Sequence, residues 1–206
     1  MVLDVSCITL AGGKSTRLGR NKLAETVGGK ILLHRVLDVL SLLGRETIVV
    51  TSRPSSLPDI SMYVRTRVVA DFSQNRGLPG AIYAGLAASE SVYNFVSASD
   101  MPFLNAGLIR YMLDIAEGSD LVAYREGERF EPLHAVYSKA CMGAILELMD
   151  RDNARMIEIA GLVKTRYLAP EELLASDPQR YSFININNEE ELVKAREIAK
   201  RVFYAD

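Results

Sequence analysis

The sequence lacks the features that mark several large protein classes. Its two cysteines, Cys7 and Cys141, lie in separate apolar segments and cannot form the close pair typical of zinc or redox motifs. No apolar run approaches the roughly 18 residues that a membrane-spanning helix needs. The formal net charge is −2, so the chain has no overall basic surface of the kind that binds nucleic acid. We therefore expect neither a membrane nor a nucleic acid as a partner.

The remaining bulk properties favour a single domain over residues 1–206. Apolar residues make up 49% of the chain, which is enough for a full core, and there is no internal repeat, low-complexity segment or linker. No basic region precedes an apolar stretch at the N-terminus, so no signal peptide is expected. Buried, reduced thiols fit a reducing compartment, and the expected location is cytoplasmic.

Short apolar runs alternate along the chain with segments of helical periodicity. The runs predict strands over 5–10, 47–51, 64–70, 92–98, 121–124, 132–137, 163–168 and 183–186. The periodic segments predict helices over 31–43, within 74–86, and over 106–116, 138–150 and 153–160. Asn105 and Asn188 are predicted helix caps. The alternation predicts an α/β fold of three layers, with a mostly parallel central sheet, a strand at 132–137 that crosses back, and helices on both faces.

The last predicted helix follows Asn188. Glu191 stands three residues after this cap, as in a capping box. The predicted buried stripe of the helix consists of Leu192, Ala195, Ala199 and Val202.

A glycine-rich basic loop, LAGGKSTRLGRNK at 10–22, follows the first predicted strand. Glycines let backbone N–H groups approach an anion, and Lys14, Arg17 and Lys22 can neutralise the charge of a polyphosphate. Open α/β sheets bind ligands at this edge, where the strands end. The pattern therefore predicts a phosphate cradle. The alternative is a surface turn that is merely rich in glycine and basic residues.

The spacing of the glycines excludes two well-known phosphate loops. Residues 13–15 match the end of a P-loop, but that motif needs a glycine five residues before the Gly–Lys pair, where this chain has Ile8. The dinucleotide-binding motif fails because Ser15, rather than a glycine, stands two residues after Gly13. Kinases and ATPases of the P-loop type are thereby excluded.

Two aspartates that follow apolar strands form a second candidate group. Asp71 and Asp100 stand after the third and fourth predicted strands, whose C-terminal ends should share one edge of the sheet. Mg²⁺, which accompanies nucleotides, takes oxygen ligands and often only one or two carboxylates. Asp100 is the better metal candidate because Pro102 stops its strand from continuing. The alternative is that Asp100 caps a turn.

The loop at 10–22 resembles the signature loop of nucleotidyltransferases, and the similarity is greatest to the molybdenum cofactor guanylyltransferases, the MobA family. The segment DMPFL at 100–104 resembles the Asp-x-Pro segment that holds Mg²⁺ in that family. The resemblance implies a Rossmann-like nucleotidyltransferase fold. It also implies a nucleotide-binding half over about 1–104 and an acceptor-binding half over about 105–206.

The resemblance assigns roles to individual positions. It implies catalytic roles for Arg17, Lys22 and Asp100, with Asp100 as the Mg²⁺ ligand. It implies nucleotide contacts from Leu10, Ala11, Gly12, Gly13, Lys22, Thr51, Asp71 and Asp100. Two positions depart from the family pattern, since Thr51 replaces an asparagine and GLPG at 77–80 replaces the usual Gly-Pro-Leu-x-Gly. Base identity could rest on these contacts, so CTP stays an alternative to GTP.

Two further segments resemble the acceptor side of the family. Residues 183–187, FININ, resemble its Phe-x-Asn-x-Asn motif, and strand alternation would place Asn185 and Asn187 on one face. Two amides on one face can bind a heterocycle such as a pterin, although turn and cap chemistry beside Asn188 is the alternative. Residues 131–137, EPLHAVY, resemble the (Glu/Gln)-Pro-Leu-x-Ala-x-Tyr segment and by analogy lie near the acceptor.

Four other side chains carry weaker expectations. Arg125 and Arg129 are either contacts to an acceptor phosphate or solvated side chains. His34 and His134 are the two histidines of the chain, and both are expected to be structural.

The function implied by the resemblance is transfer of GMP from GTP to the terminal phosphate of molybdopterin, with release of pyrophosphate. The acceptor phosphate is ionised near neutral pH, which fits a chain with no evident nucleophile–base pair. The implied cofactor is Mg²⁺, and transient protein partners would be enzymes that insert or use the molybdenum cofactor. The alternatives are a related transferase with CTP or another small phosphorylated acceptor, and a nucleotide-binding protein without turnover.

Overall fold

The computed structural model describes residues 3–12, 22–71, 76–127, 129–151 and 155–204, apart from the side chains of Leu3 and Arg129. Its strands are β1 (Leu3–Leu10), β2 (Thr26–Val27), β3 (Lys30–Ile31), β4 (Gly44–Thr51), β5 (Thr66–Ala70), β6 (Tyr93–Ala98), β7 (Leu121–Glu126), β8 (Arg129–Ser138) and β9 (Thr165–Leu168). Its α-helices are α1 (Leu32–Leu43), α2 (Gly77–Ala88), α3 (Ala106–Asp114), α4 (Cys141–Asp150), α5 (Pro170–Ser176) and α6 (Glu189–Phe203). Short 3₁₀ helices lie at Lys22–Ala24, Pro54–Ser56, Met156–Gly161 and Tyr181–Phe183.

Within the described ranges, seven strands form one sheet in the order β5-β4-β1-β6-β8-β7-β9. β1 pairs in parallel with β4 and β6, and β4 pairs in parallel with β5. β8 is antiparallel to both of its neighbours, β6 and β7, while β9 is parallel to β7. The mostly parallel sheet is therefore confirmed, together with the strand that crosses back.

Helices cover both faces of the sheet because side chains on each strand alternate between the faces. On one face, Cys7 of β1 and Phe95 of β6 are buried in a core shared with α1 and α3. On the other face, Ile8 and Val96, the next residues along the same strands, are buried with α2 and α4. The predicted three-layer arrangement is thereby confirmed.

Helix α2 packs closely against the sheet at a small residue, Gly85. A Cβ atom at Gly85 would lie 2.6 Å from Cγ2 of Ile8 and 3.2 Å from Cγ2 of Val50. We expect Gly85→Ala to lower the free energy of unfolding by about 1–3 kcal/mol through overpacking. Chemical denaturation measures this change. Gly143→Ala is the matched control, because a Cβ atom at Gly143 of α4 meets nothing within 4 Å. An unchanged free energy of unfolding in Gly85→Ala would contradict the close packing of α2 on the sheet.

Several elements differ from the pattern-based prediction. The helix predicted over 153–160 is a 3₁₀ helix over Met156–Gly161, and residues 153–154 lie outside the described part of the chain. The periodicity does not predict α5, which begins at Pro170 and has only one fully buried side chain, Leu173. Val202 is 44% exposed, so the predicted buried stripe of α6 is wrong at that position.

Both cysteine thiols are buried and reduced, as predicted. Burial raises the pKa of the Cys7 thiol to about 12 and that of the Cys141 thiol to about 12, which leaves both without reactive thiolate near neutral pH. Across the described ranges, the structure contains no helix with the length and apolar character needed to span a membrane.

Candidate functional site

The C-terminal ends of four neighbouring parallel strands form the edge on which the candidate site lies. Asp71 follows β5 and Asp100 comes shortly after β6, with β4 and β1 between them. Three interstrand spacings separate the two strands, which is roughly 14 Å. The two carboxylates are therefore too far apart to share one metal ion. An elongated ligand that lies along this edge, over Ala11 and Gly12 at the end of β1, can contact both.

Lys22 joins residues from the three predicted motifs. Its ammonium group forms an ion pair with Oδ2 of Asp100 and donates a hydrogen bond to Oδ1 of Asn187 at 3.2 Å. Asp100 is 78 positions and Asn187 is 165 positions from Lys22 in the sequence, so only the fold brings them together. The side chains of Lys22 and Asp100 are each 14% exposed, which shields the pair from water.

The backbone around Asp100 is held from two sides. The N–H of Ser99 donates to the carbonyl of Leu10 at 3.2 Å, which ties the start of this turn to the end of β1. The N–H of Ile186 donates to the carbonyl of Asp100 at 3.1 Å, which ties the asparagine segment to the same turn. These bonds place Asp100 between the nucleotide loop and the predicted acceptor motif.

The strand predicted over 183–186 is wrong. Residues Tyr181–Phe183 form a 3₁₀ turn, and the backbone from Ile184 to Asn187 belongs to no strand. The physical reason is that the N–H of Ile186 anchors this segment to the carbonyl of Asp100, beyond the end of β6, and Ile186 fills the core beside Phe103. Asn185 and Asn187 still lie near the turn that carries Asp100, because Ile186 is anchored to it.

Two buried side-chain oxygens at this site have no hydrogen-bond partner among the described residues, namely Oδ1 of Asp100 and Oδ1 of Asn185. A buried acceptor left in this way costs about 1–3 kcal/mol, which a bound cation or donor can offset. Among the residues that the structure describes, no group of three or more Asp, Glu, His or Cys side chains is arranged around a common metal position. This donor set fits Mg²⁺, which takes one or two carboxylates together with substrate phosphates, better than an all-protein metal cage.

The predicted nucleotide contacts at the end of β1 differ in their exposure to solvent. Leu10 and Ala11 are buried, and the N–H of Ala11 is already bonded to the carbonyl of Val50 at 2.8 Å. Gly12 is exposed and faces open space. The predicted residues Gly13 and Arg17 lie outside the described part of the chain.

Thr51 and Asp71 lie side by side at the ends of the paired strands β4 and β5. Thr51 is 1% exposed, and its hydroxyl accepts a hydrogen bond from the N–H of Arg53 at 3.1 Å. The N–H of Asp71 donates to the carbonyl of Thr51 at 2.9 Å. The Thr51 hydroxyl thus closes the turn that follows β4. The Asp71 side chain is only partly buried.

Glu131 lies near Asp100 in the candidate site. The sequence motif predicts only that the segment 131–137 lies near the acceptor. Burial raises the pKa of the Glu131 carboxyl, and the negative charge of Asp100 raises it further. Its Oε1 accepts a hydrogen bond from the N–H of Leu133 at 3.0 Å. The signal in the sequence is the EPLHAVY segment itself, whose strand β8 pairs with β6 and so brings Glu131 towards Asp100.

His134 is structural, as predicted, and it supports the predicted acceptor segment from within the core. Its imidazole is fully buried, lies 4.3 Å from the ring centroid of Phe183, and shares a hydrogen bond of 2.7 Å with the hydroxyl of Ser182. The same hydroxyl accepts a bond from the N–H of Asn105, the cap of α3, at 2.9 Å. This hydroxyl therefore connects the turn after Asp100 to the segment that leads to Asn185.

The protein should lose stability in mild acid because of His134. Burial lowers the pKa of the His134 imidazole to about 3. The unfolded chain binds this proton below about pH 6.5 and the folded protein does not until about pH 3, so the free energy of unfolding falls as the pH decreases between these values. We expect wild type to lose about 2 kcal/mol more than His134→Gln between pH 7.5 and pH 5, as measured by denaturant titration. His34→Gln is the control, and parallel curves for wild type and His134→Gln would contradict the assignment.

Arg125 makes its ring contact outside the cluster formed by Lys22, Asp100 and Asn187. The guanidinium group of Arg125 stacks over the ring of Tyr167 at 4.5 Å. The side chain of Arg129 lies outside the described part of the structure. His34 bonds to the carbonyl of Asp59 at 2.8 Å, which agrees with a structural role.

The same motifs can be compared with known proteins. The family described as the MobA-like NTP transferase domain matches residues 7–165, a segment that contains Lys22, Asp100 and Glu131. The chain belongs to the MobA-like NTP transferase family. It is thus a nucleotidyltransferase by family, and Asn185 and Asn187 lie beyond the matched segment.

Similar proteins cover nearly the whole chain. A probable molybdenum cofactor guanylyltransferase of Pelotomaculum thermopropionicum is 34% identical over 199 residues, which are 97% of this chain and 95% of the relative. A molybdenum cofactor guanylyltransferase of Desulfosudis oleivorans is 32% identical over 198 residues, with 95% and 96% covered. The crystal structure of molybdopterin-guanine dinucleotide biosynthesis protein A from Archaeoglobus fulgidus matches with a TM-score of 0.82 at 23% identity, over 96% of this chain and 100% of that one. That structure supports the MobA-like fold.

Proposed function

We propose that the protein transfers GMP from GTP to the terminal phosphate of molybdopterin, releases pyrophosphate and forms the guanine dinucleotide form of the molybdenum cofactor. Two relatives that match nearly the full chain are named molybdenum cofactor guanylyltransferases, and this supports the proposal. The observation that carries it is the contact of one ammonium group, that of Lys22, with both Asp100 and Asn187. A residue of the nucleotide loop thereby meets the candidate metal ligand and the candidate acceptor motif.

The chemistry needs positioning and charge stabilisation more than a strong base. An acceptor phosphate is ionised near neutral pH and can attack the α-phosphate of GTP without losing a proton to the protein. The new bond joins a phosphate oxygen of molybdopterin to the α-phosphorus, and the bond to the β-phosphate oxygen breaks, so pyrophosphate leaves with the bonding electrons. Lys22 would offset the charge on the triphosphate and on the leaving pyrophosphate. The sequence predicts the same role for Arg17.

Asp100 is the residue that would hold Mg²⁺, through the carboxylate whose Oδ1 has no partner among the described residues. When bound there with the nucleotide, the ion would supply charge neutralisation at the phosphate oxygens. Lys22 pairs with the other oxygen of the same carboxylate and so orients the Asp100 side chain. Asn185 and Asn187 would bind the pterin through their amide groups.

A related transferase with CTP is the second candidate. The observation that favours it is Thr51, which stands where the family has an asparagine and whose hydroxyl closes a turn instead of facing a base. Because Thr51 and Asp71 lie at the far end of the site from Asp100, a change there could alter base selection without altering transfer. A nucleotide-binding protein without turnover is disfavoured by the presence of Lys22 and Asp100 in one partly buried ion pair.

The deciding experiment measures pyrophosphate release from GTP and from CTP, each with Mg²⁺ and molybdopterin. We expect release with GTP that depends on molybdopterin and on the metal, and little release with CTP. Faster release with CTP would establish the alternative transferase. Absence of release with either nucleotide, together with measurable binding of GTP, would establish a binding protein and refute the proposal.

Several finer statements stay predictions of the sequence. They are the division into a nucleotide-binding half over about 1–104 and an acceptor-binding half over about 105–206, the cytoplasmic location, and transient contact with proteins that insert or use the molybdenum cofactor. The central sheet runs through both predicted halves, since β6 of the first pairs with β8 of the second.

A further inference from the structure

Helix α6 contacts both sides of the candidate site. Its N-terminus carries the acceptor motif, because Asn188 caps the helix by accepting a bond from the N–H of Glu191 at 2.9 Å, and Oε2 of Glu191 accepts a bond from the N–H of Asn187 at 2.5 Å. Its middle packs on the hairpin formed by β2 and β3, which directly follows Lys22–Ala24. One rigid element therefore touches the segment that bears Asn187 and the segment that bears Lys22.

Arg196 makes the polar contact between α6 and that hairpin. Its Nε donates a hydrogen bond to the carbonyl of Thr26 at 3.0 Å, and its Nη2 pairs with Oε2 of Glu25 at 3.1 Å. The Glu25 side chain is 13% exposed, so this carboxylate is largely removed from water. A guanidinium group can make both bonds at once because its donors lie in a fixed fork, which a lysine does not have.

Glu25 in turn holds the short turn that begins at Lys22. The N–H of Glu25 donates to the carbonyl of Lys22 at 3.1 Å, and the carbonyl of Glu25 accepts a bond from the N–H of Leu32, the first residue of α1, at 2.9 Å. The backbone of Lys22 is therefore fixed relative to α1 and, through Glu25 and Arg196, relative to α6. The other end of Lys22, its ammonium group, contacts Asn187 just before α6 begins. Lys22, Glu25, Arg196 and the segment before α6 are therefore joined in a closed ring of contacts.

We propose that Arg196 is a positioning residue for the transfer reaction, because it sets the Lys22 ammonium at the correct place between Asp100 and Asn187. This inference rests on the proposed function. Among the residues that the structure describes, Arg196 bonds to Glu25 and Thr26 rather than to a predicted nucleotide or acceptor residue, and it acts through these two. The other ion pairs within α6, Glu190 with Lys194 and Glu197 with Lys200, join residues of the same helix and reach no part of the site.

The test compares Arg196→Met with Lys194→Met. Methionine keeps an unbranched side chain and good helix propensity, so both variants should fold, and Lys194 is a basic residue of the same helix that pairs only within it. We expect Arg196→Met to lower kcat about tenfold with KM for GTP changed less than about twofold, since a small misplacement of a charge that acts on the leaving group mainly affects the transition state. Lys194→Met should keep wild-type kinetics.

Two additional variants separate positioning from simple stabilisation. Arg196→Lys restores the charge without the fork and should recover only part of kcat. Glu25→Gln combined with Arg196→Met should lose less activity than the two single losses together predict, because the two side chains share a direct contact. Wild-type kinetics in Arg196→Met, or a loss of kcat that merely follows a fall in the melting temperature, would overturn the inference.

A measurement on the free protein, without substrates, tests the role of Arg196 independently of the proposed function. Deuterium exchange of the free protein should be faster in peptides that span 22–32 in Arg196→Met than in wild type or Lys194→Met, since the amides of Glu25 and Leu32 lie in the affected turn. Unchanged exchange in these peptides would overturn the positioning contact. If wild type releases no pyrophosphate from GTP and molybdopterin, the proposed function fails, while the exchange result still decides whether Arg196 fixes the turn at Lys22.

Discussion

Asp100→Ala should abolish Mg²⁺-dependent transfer while the fold stays intact. The variant removes the carboxylate that would hold the ion, and metal neutralisation of the phosphates contributes several kcal/mol to such a reaction, so we expect turnover to fall by about 1,000-fold or more. The fold should survive because the turn is held by backbone bonds at Ser99 and Ile186, which the substitution leaves in place. Steady-state pyrophosphate release measures the turnover, and circular dichroism and thermal melting measure the fold.

Two comparisons make this result specific to the carboxylate charge. Asp100→Asn keeps the shape of the side chain and should lose nearly as much activity, whereas Asp114→Asn, at an exposed position at the end of α3, should behave as wild type. Binding of Mn²⁺ in the presence of GTP, followed by electron paramagnetic resonance, should weaken in both Asp100 variants. Near-normal turnover or unchanged Mn²⁺ binding in Asp100→Ala would refute the metal assignment.

Lys22→Ala should give the second largest effect. Its ammonium group is shielded from water beside Asp100, and a cation in such a place stabilises developing negative charge far better than one in solvent. We expect a loss of about 2–4 kcal/mol in transition-state stabilisation, which corresponds to a fall of about 30-fold to 1,000-fold in kcat/KM for GTP. Initial rates at several GTP concentrations provide this number.

The control for this variant is Lys200→Ala, which removes a lysine from the solvent-exposed side of α6, where it pairs with Glu197. It should leave kcat/KM for GTP unchanged. If Lys22→Ala changed turnover by less than about tenfold, Lys22 would not be part of the transfer machinery. Because Lys22 and Asp100 are in direct contact, the double variant should be much less impaired than the sum of the two single losses predicts.

Much of the fold can be predicted from local pattern. The β-branched run in β4 and the helical spacing in α1 predict both elements within a few residues. A continuous β-branched run is typical of a strand buried on both faces, and burial on one face of a helix imposes a period of about 3.6 residues. The caps at Asn105 and Asn188 are also confirmed, because a cap depends on a side chain and a backbone N–H only three residues away. These features rest on interactions between sequence neighbours.

The errors occur where distant contacts override local pattern. Residues 183–186 alternate like a strand, yet they cross the end of β6 and are anchored to Asp100 by the N–H of Ile186. Val202 fits the apolar period of α6 but lies at its exposed end, near Phe203 at the last turn. In both cases the deciding factor is what the remainder of the chain places beside the segment, which a periodic pattern does not contain.

The sequence by itself determined the alternation of strands and helices, the glycine-rich basic loop and the aspartates that follow two strands, because each depends on the identity and spacing of nearby residues. The tertiary structure alone decided that Lys22 meets Asp100 and Asn187, that Glu131 lies close enough to Asp100 for their charges to interact, and that Arg196 links α6 to the turn at Lys22. These contacts join residues that are far apart in the chain. They form only because the parallel strands end at one edge of the sheet and α6 packs back across it.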